Sequence, residues 1–207
     1  MHHVIEFHSH HATTLCFGKR QRQPQGQLLR IAAGMALLRL GEQELLLTEG
    51  DGCWLPADCL AAFTPLRDCH WQQVLISRRL MQPAVSGWLE STPLLDALLE
   101  QLASWQEEKS WQGPYGDRLR VLADELMRQP LQMQGRPHPL QQEWQQLLRG
   151  EAPLEASEQL AQLALQWRLL RADRLLKGGQ KMDGVLRQLG YRDELQWQQD
   201  LQWWQRE

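Results

Sequence analysis

The fold is decided by residues 21–61, QRQPQGQLLRIAAGMALLRLGEQELLLTEGDGCWLPADCLA. Its apolar runs are short and are bounded by glycine, aspartate or proline: Leu28–Ala32, Ala36–Leu40, Glu44–Leu47 and Cys53–Leu55. Short apolar runs between turn residues are typical of β-strands, and several in close succession predict a small antiparallel sandwich or barrel.

Strands continue beyond this stretch and then give way to helices. Ala61–Thr64 and Trp71–Ile76 are the predicted closing strands. Thr92 and Pro93 form an N-cap and first-turn pair for an amphipathic helix. The apolar face of that helix comprises Leu94, Leu95, Leu98, Leu99, Leu102 and Trp105. Gly113-Pro114 is expected to end the next segment, and a second helix to begin near Asp117. The apolar residues of this second helix are Leu119, Val121, Leu122, Leu126 and Met127.

The segment QPLQMQGRPHP, residues 129–139, is predicted to be a linker, because three prolines and a glycine exclude a regular helix. The sequence therefore predicts a barrel over 1–90, a helical cover or dimer contact over 91–128, this linker, and a helical domain over 140–207. The last domain opens with a short helix over Leu140–Leu148, with Trp144, Leu147 and Leu148 facing inward.

The end of the chain predicts a long helix followed by a helical hairpin. The long helix contains WRLLRADRLL, residues 167–176, after a helical pattern over Ser157–Gln166. Gly190 is placed to end one short helix and Asp193 to cap the next. In that last helix Trp197, Leu201 and Trp204 share one face. Such a hairpin is a helix-turn-helix, which many proteins also use as plain scaffold.

These patterns resemble the AraC-type transcriptional regulators, which join a cupin sensor barrel to two helix-turn-helix units. The matching positions in the joining helix and second unit are Arg168, Leu169, Ala172, Leu175, Leu176, Val185, Leu189, Gly190 and Tyr191. Trp197 and Leu201 stand where the family has a pair of phenylalanines. The resemblance implies an α+β chain, with a cupin-like antiparallel barrel followed by an all-α domain.

The barrel part of the resemblance also shows what this chain lacks. The order Gly50–Asp51, strand, Pro56 is similar to the second conserved turn of the cupin barrel. On that pattern the family's metal-binding histidines fall on Gln21, Gln23 and Ala61, and its turn glycine falls on Asp58. We therefore expect a barrel without an internal metal or cofactor.

Other candidate ligand groups follow from the same comparison and from strand alternation. A small-molecule pocket in the barrel is expected to use Gln21, Gln23, Arg30, Trp54 and Ala61. His8 and His10 would project from one side of a first strand over His2–Phe17, which is a two-ligand metal geometry. A polar edge strand or a frayed terminus accounts equally for the two histidines.

Two departures from the family bear on DNA binding. Only eighteen residues separate Leu148 from Trp167, so the first helix-turn-helix is missing or reduced to one helix. From Arg192 to Arg206 two basic and three acidic residues leave a net charge of −1 (2 − 3), whereas DNA affinity comes chiefly from cations. The candidate DNA-binding residues are Arg168, Arg171, Arg174, Lys177, Arg192, Gln196 and Gln199.

Composition narrows the remaining classes of protein. The net charge of −3 lacks the basic excess usual in nucleic-acid binders. No run of residues is long and apolar enough to span a membrane, no secretory signal is visible, and the four cysteines form no CxxC, so we expect a cytoplasmic protein with free thiols. Common nucleophile, nucleotide and zinc-protease motifs are absent, so an enzyme is not expected.

The sequence therefore predicts an AraC-like regulator or regulator remnant that forms a homodimer. It would sense a small molecule or a partner through a metal-free cupin, with weak or assisted DNA binding. One alternative is a small-molecule-binding or protein-interaction module without DNA binding, such as an antagonist of a full-length regulator. Another is a metal-independent cupin enzyme.

Overall fold

A computed structural model of the chain describes residues 4–151 and 157–206, and it divides into two compact units. The first comprises the chain up to His11 together with Gly18–Arg136. The second comprises Ala12–Phe17 and the chain from Pro137 onward. The boundary between Arg136 and Pro137 thus lies inside the proline-rich stretch, and a short N-terminal segment belongs with the helical unit.

The first unit is built from two β-sheets. Its strands are β1 Ile5–Ala12, β2 Gln21–Arg22, β3 Gly26–Ala33, β4 Met35–Leu40, β5 Gln43–Thr48, β6 Gly52–Leu55, β7 Leu60–Pro65, β8 Cys69–Ile76, β9 Gly87–Leu89 and β10 Leu131–Gln132. One sheet has the order β1-β8-β3-β6-β9-β10 and the other β2-β7-β4-β5. The predicted antiparallel β domain followed by helices is confirmed. Within residues 129–139, Leu131 and Gln132 pair with β9.

Alternation along the strands creates two separate apolar cores. Leu29 and Ile31 of β3 point into the barrel, where they pack with Leu38, Leu47 and other side chains of the second sheet. Leu28, one residue away, points outward with Trp54 and packs under the helices.

Two helices cover that outer face. These are α1, Pro93–Ala103, and α2, Pro114–Arg128. Thr92 caps α1 as predicted, since its Oγ1 accepts a hydrogen bond from the Leu95 N–H at 3.2 Å. The segment after α1 ends at Gly113-Pro114 as expected, but α2 begins at Pro114 itself instead of near Asp117, because proline suits the first turn of a helix, where no N–H is needed.

Two residues placed on the apolar faces of these helices are instead exposed. Leu94 is 49 % exposed and Val121 is 47 % exposed. The buried faces are carried by Leu95, Leu98, Leu99 and Leu102 in α1 and by Tyr115, Leu119, Leu122 and Leu126 in α2. A narrower stripe of each helix is therefore sufficient to cover the sheet.

The second unit is helical. It contains α3 Pro139–Leu148, α4 Glu158–Lys177, α5 Met182–Gln188 and α6 Glu194–Gln205. The two helical patterns predicted on either side of Trp167 form one continuous helix, α4, capped by Ser157. Trp144 is fully buried and meets Trp167 edge-on at 5.5 Å between ring centroids, and Leu147 and Leu148 are half-buried. Residues 152–156, between α3 and α4, lie outside the described residues.

The end of the helical unit follows local capping chemistry. Gly190 has a φ of 75°, a left-handed conformation that ends α5. Asp193 then caps α6, because its Oδ1 accepts the Gln196 N–H at 2.8 Å. The Leu15 N–H donates to the Trp204 carbonyl at 2.8 Å, which ties residues 12–17 to α6. Among the helices described, none has the length and apolar character needed to cross a membrane.

Candidate ligand site

A row of polar and aromatic side chains lies on the inner face of the barrel. His10 on β1, Trp71 and Gln73 on β8, Gln27 on β3 and Phe63 on β7 make up this inner-face cluster. Trp71, Gln73 and Gln27 alternate with the outward residues of their strands, and β1, β8 and β3 are neighbours in one sheet. The topology therefore brings together residues that are far apart in the sequence. His10 and Gln73, for example, are 63 positions apart.

Ring stacking and one hydrogen bond hold the cluster together. The His10 ring stacks on Trp71 with centroids 4.7 Å apart, and Trp71 meets Phe63 at 5.5 Å. The Gln73 Nε2 donates to the Gln27 Oε1 at 2.8 Å. These contacts fix an aromatic surface beside two amides.

His10 has unused hydrogen-bonding capacity. Its Nε2 is buried and has no hydrogen-bond partner within the described ranges. Burial lowers the pKa of His10, and nearby His8 adds to that effect, while a hydrogen bond with Gln73 opposes it. The neutral imidazole is therefore favoured, and one ring nitrogen is left for a ligand.

The cluster has the chemistry of a binding site. An aromatic face packs against the flat or CH-rich face of a small molecule, and amide and imidazole groups orient its polar atoms. A neutral, polar organic ligand suits this set, since none of the five side chains carries a permanent charge.

The predicted pocket residues are divided between the two faces of the sheets. Gln21 pairs with Ala61 across β2 and β7, so these two positions lie together as the resemblance implies. The Gln23 carbonyl accepts the Asp58 N–H at 2.7 Å. Asp58 has a φ of 62°, the left-handed conformation for which the family uses glycine.

Arg30 and Trp54 lie elsewhere. Trp54 is buried under the helices, and its Nε1 donates to the Pro83 carbonyl at 3.1 Å. The Arg30 guanidinium hydrogen-bonds Asp96 of α1 at 2.6 Å. Both side chains therefore point away from the barrel interior. Alternate residues of β3 and β6 face opposite sides of the sheet. Because the residues on both sides are largely apolar, the sequence pattern does not show which side faces the barrel interior.

The metal-ligand candidates remain a pair. The rings of His8 and His10 lie 5.9 Å apart between centroids, and the Glu6 carboxylate is 3.4 Å from His8. Within the part of the chain that the structure describes, no three His, Cys, Asp or Glu side chains are grouped closely enough to hold a metal ion. A barrel without internal metal stays a prediction that rests on Gln21, Gln23 and Ala61.

Sequence reasoning did not select Gln27, Phe63, Trp71 or Gln73. Trp71 and Gln73 alternate within a predicted strand, and Gln27 begins the QLL sequence of β3. These signals place polar or aromatic groups on one face of each strand. They do not show which strands are neighbours, and sheet order is what forms the site.

The basic residues predicted for DNA binding are largely engaged within the helical unit. Arg168 on α4 lies over the Tyr191 ring at 4.9 Å and is 4.0 Å from the Asp200 carboxylate. Arg171 lies over Trp167 at 4.9 Å, and Lys177 pairs with Asp173 at 2.7 Å. Arg174, half-buried on α4, also makes contacts of its own.

The last helix presents amides and apolar groups instead of cations. The Gln196 Oε1 accepts the Arg192 backbone N–H at 2.9 Å, so this candidate DNA-binding side chain already has a hydrogen-bond partner within the chain. Gln199 is exposed, as are Gln198 and Gln202. Leu195 and Trp203 are 62 % and 64 % exposed, while α6 itself contains no lysine or arginine.

A family model described as the AraC-like ligand binding domain matches residues 2–164. No curated protein matches the chain. Among solved structures, ToxT from Vibrio cholerae is 8 % identical with a TM-score of 0.41, covering 98 % of this chain and 95 % of ToxT.

Two further solved structures are similar over different lengths. The AraC-like transcriptional activator CuxR is 12 % identical with a TM-score of 0.37, covering 87 % of this chain and 61 % of CuxR. A cupin superfamily protein from Desulfitobacterium hafniense is 18 % identical with a TM-score of 0.30, covering 35 % and 65 % of the two chains.

Proposed function

The chain belongs to the family of AraC-like ligand-binding domains, and we propose that it is a regulator that senses a small polar molecule through the inner face of its barrel. The observation that carries the proposal is the buried His10 Nε2 without a hydrogen-bond partner within the described ranges, next to Trp71 and the Gln73–Gln27 pair. A ligand that hydrogen-bonds this nitrogen would remove the cost of an unsatisfied buried polar atom. The free thiols support a cytoplasmic setting.

A thermal-shift screen of monosaccharides and nucleobases tests the sensing proposal. We expect at least one compound to raise the Tm of the wild-type chain, and His10→Ala or Gln73→Leu to abolish that shift. His11→Ala is the matched control, since His11 lies on the same strand but stacks on His70. A stabilising compound that acts equally on wild type, His10→Ala and Gln73→Leu would contradict a site at the inner-face cluster.

For the helical unit we propose weak or assisted DNA contact through a single helix-turn-helix, α5 and α6. The family resemblance supports contact, and charge limits its strength, because α6 has no cation and the α4 cations have internal partners. Specific binding exceeds non-specific binding by about 4–10 kcal/mol in intact DNA-binding proteins. The regulators that the chain resembles have two helix-turn-helix units, so the loss of one unit would remove about half of the contacts with DNA.

Fluorescence anisotropy with generic duplex DNA, titrated with salt, tests this second proposal. We expect weak or undetectable binding at physiological salt, with a residual affinity that falls steeply as salt rises. Arg171→Gln and Lys177→Gln should reduce that residual affinity, whereas Arg39→Gln in the barrel should not. Nanomolar, sequence-selective binding by the purified chain would overturn the proposal.

A protein-interaction role is the second candidate, and the exposed Leu195 and Trp203 on α6 favour it. Aromatic residues such as tryptophan are enriched at protein–protein interfaces relative to the rest of the surface. A regulator of this kind would pair with another protein through α6 and bind no DNA. Co-purification with a full-length AraC-type regulator, lost in Leu195→Glu, separates this role from DNA binding.

A further inference from the structure

A stacked pair of histidines lies on the outer face of the first sheet, behind the inner-face cluster. His11 on β1 and His70 on β8 have ring centroids 3.7 Å apart and planes 15° apart. On the inner face the preceding residue of β1, His10, stacks on Trp71, the next residue of β8. The two neighbouring strands therefore run antiparallel, with each of these pairs opposite each other. Because successive residues of a strand face opposite sides, the His11–His70 pair points away from the barrel interior.

Both rings of the pair are accessible from solvent. His11 and His70 are exposed, whereas Ile5 and Phe7, which share the outer face of β1, are buried under the helices. Apart from the stack, neither histidine makes a hydrogen bond or an ion pair within the described ranges. A neutral imidazole has one ring nitrogen with a free lone pair. The pair therefore offers two nitrogen ligands side by side.

The spacing of the two rings suits a shared metal ion. Imidazole nitrogens bind Zn²⁺ at about 2.0–2.1 Å, so two of them in a tetrahedral site lie about 3.3 Å apart. The separation of 3.7 Å between the ring centroids is close to that value. Because both side chains are exposed, a small rotation of each ring directs the two nitrogens at one ion. The stack already holds the rings together, which reduces the side-chain entropy lost on binding.

The charges near the pair do not oppose a bound cation. The adjacent outward positions, Ser9 and Gln72, are uncharged. The permanent cation closest to His70 along the chain is Arg67, and its guanidinium lies 3.6 Å from the Asp68 carboxylate, which offsets its charge. Across residues 4–151 and 157–206, no third His, Cys, Asp or Glu joins the pair as a metal ligand. Water would therefore complete the coordination shell.

We propose that His11 and His70 together bind a divalent transition-metal ion of the zinc, copper and nickel group, and that this ion joins β1 to β8. Imidazole nitrogen suits these metals, whereas Mg²⁺ and Ca²⁺ prefer oxygen ligands. The site differs from the metal site of the cupin pattern, which lies inside the barrel at the positions of Gln21, Gln23 and Ala61. It goes beyond the proposed sensing function and does not depend on it.

Isothermal titration of the full chain with Zn²⁺ alone tests the proposal. With two protein ligands instead of the four of a structural zinc site, we expect a Kd of about 1–100 µM, and no binding of Mg²⁺. His70→Phe keeps an aromatic ring against His11 but removes its nitrogens, and should weaken Zn²⁺ binding at least about tenfold. Five of the seven histidines lie within residues 1–11, so binding by that segment alone would not depend on His70. Unchanged Zn²⁺ affinity in His70→Phe, or no binding up to about 1 mM, would overturn the proposal.

Thermal unfolding with Zn²⁺ gives a second readout, because the two histidines are held together only in the folded sheet. Zn²⁺ should raise the Tm of the wild-type chain, and His11→Ala or His70→Phe should abolish that rise. His8→Ala is the matched control, since His8 is exposed on the same strand but faces the other side. His10→Ala should also keep the Zn²⁺ effect, whereas it removes the sensing response proposed above. Loss of the Zn²⁺ effect in His8→Ala or His10→Ala, with a normal effect in His70→Phe, would place the metal on the inner face and reject the site. Circular dichroism of each variant confirms that it is folded.

Discussion

At the scale of single residues, burial decides the chemistry of the four cysteines. Cys53 and Cys69 are buried in the barrel core, and Cys16 and Cys59 are partly exposed. Burial raises the pKa of Cys53 to about 12, with the nearby Cys59 and Asp51 adding to that effect. Burial also raises the pKa of Cys16 and Cys59. None of these three thiols is therefore activated as a nucleophile.

We predict that a thiol reagent at neutral pH modifies at most two cysteines in the folded chain and all four in denaturant. Cys53→Ala should leave the folded count unchanged, because the Cys53 thiol is already protected. Cys59→Ala should lower it by one. Fast modification of Cys53 in the native protein would show that the barrel opens more readily than its packing indicates.

Tyr191 gives a second test at the residue scale. It is buried, and its hydroxyl has no hydrogen-bond partner within residues 4–151 and 157–206. Burial raises the pKa of Tyr191 from 10.0 to about 12; the Arg168 charge opposes this and Asp200 adds to it. Because the folded-state pKa is above the unfolded value, the folded state holds the proton between about pH 10 and pH 12. The stability linked to Tyr191 is therefore complete below pH 10 and is lost as pH rises toward 12.

We predict that Tyr191→Phe is neutral or stabilising at pH 7, by up to about 1 kcal/mol, because it removes an unsatisfied buried hydroxyl. The variant should also lose less stability than wild type between pH 10 and pH 12. Urea denaturation at both ends of that range measures the difference, with Tyr115→Phe as the comparison. A large loss of stability at neutral pH would mean that the Tyr191 hydroxyl has a partner in solution.

At the scale of elements, caps determine where the helices begin. The Thr92, Ser157 and Asp193 side chains each accept a backbone N–H at the start of their helix. α6 depends most on its cap, because none of its described side chains is fully buried. Tertiary packing compensates less for a lost cap there than it does in α1.

We predict that Asp193→Ala destabilises the helical unit by about 1 kcal/mol and loosens α6 first. Hydrogen exchange of the amides of Glu194–Gln198 should accelerate, while the amides of α4 remain protected. Asp193→Ser should largely restore protection, since serine also accepts the hydrogen bond. Equal acceleration in α4 and α6 would show that the helical unit opens as one cooperative element.

At the scale of the whole molecule, α1 and α2 leave apolar surface uncovered. Val121 lies on α2 among Asp117, Arg120, Asp124 and Arg128, which form ion pairs along the helix. An apolar residue flanked by both charge signs is able to meet its own copy across a two-fold axis. The exposed face of α2 around Val121 is therefore the candidate surface for the homodimer that was predicted to form through α1 or α2.

We predict a homodimer by light scattering at tens of micromolar protein. Val121→Lys should shift it to monomer, since two lysines would face each other at the two-fold axis. Gln43→Lys, at the exposed start of β5, adds the same single charge elsewhere and should leave the dimer intact. A monomeric wild-type chain at that concentration would count against the contact, and dissociation by Leu94→Lys alone would assign it to α1.

The sequence by itself determined the elements whose causes are local. Strands between turn residues, the Thr92 and Asp193 caps and the Gly190 helix end each depend on side chains within a few residues of the backbone groups that they satisfy. The exact start of α2 was less well determined: the helix begins at Pro114 and not near Asp117, because proline breaks a helix in its interior but suits its first turn.

Only the tertiary structure decided which faces and strands come together. Arg30 and Trp54 point to the helices instead of into the barrel, because the register of β3 with β6 and β8 selects which alternate residues face inward. Gln27 and Gln73 lie 46 residues apart in sequence yet share a hydrogen bond, and residues 12–17 join the helical unit. Sheet order and register arise from packing between distant segments, so the binding face of the barrel is a property of the assembled fold.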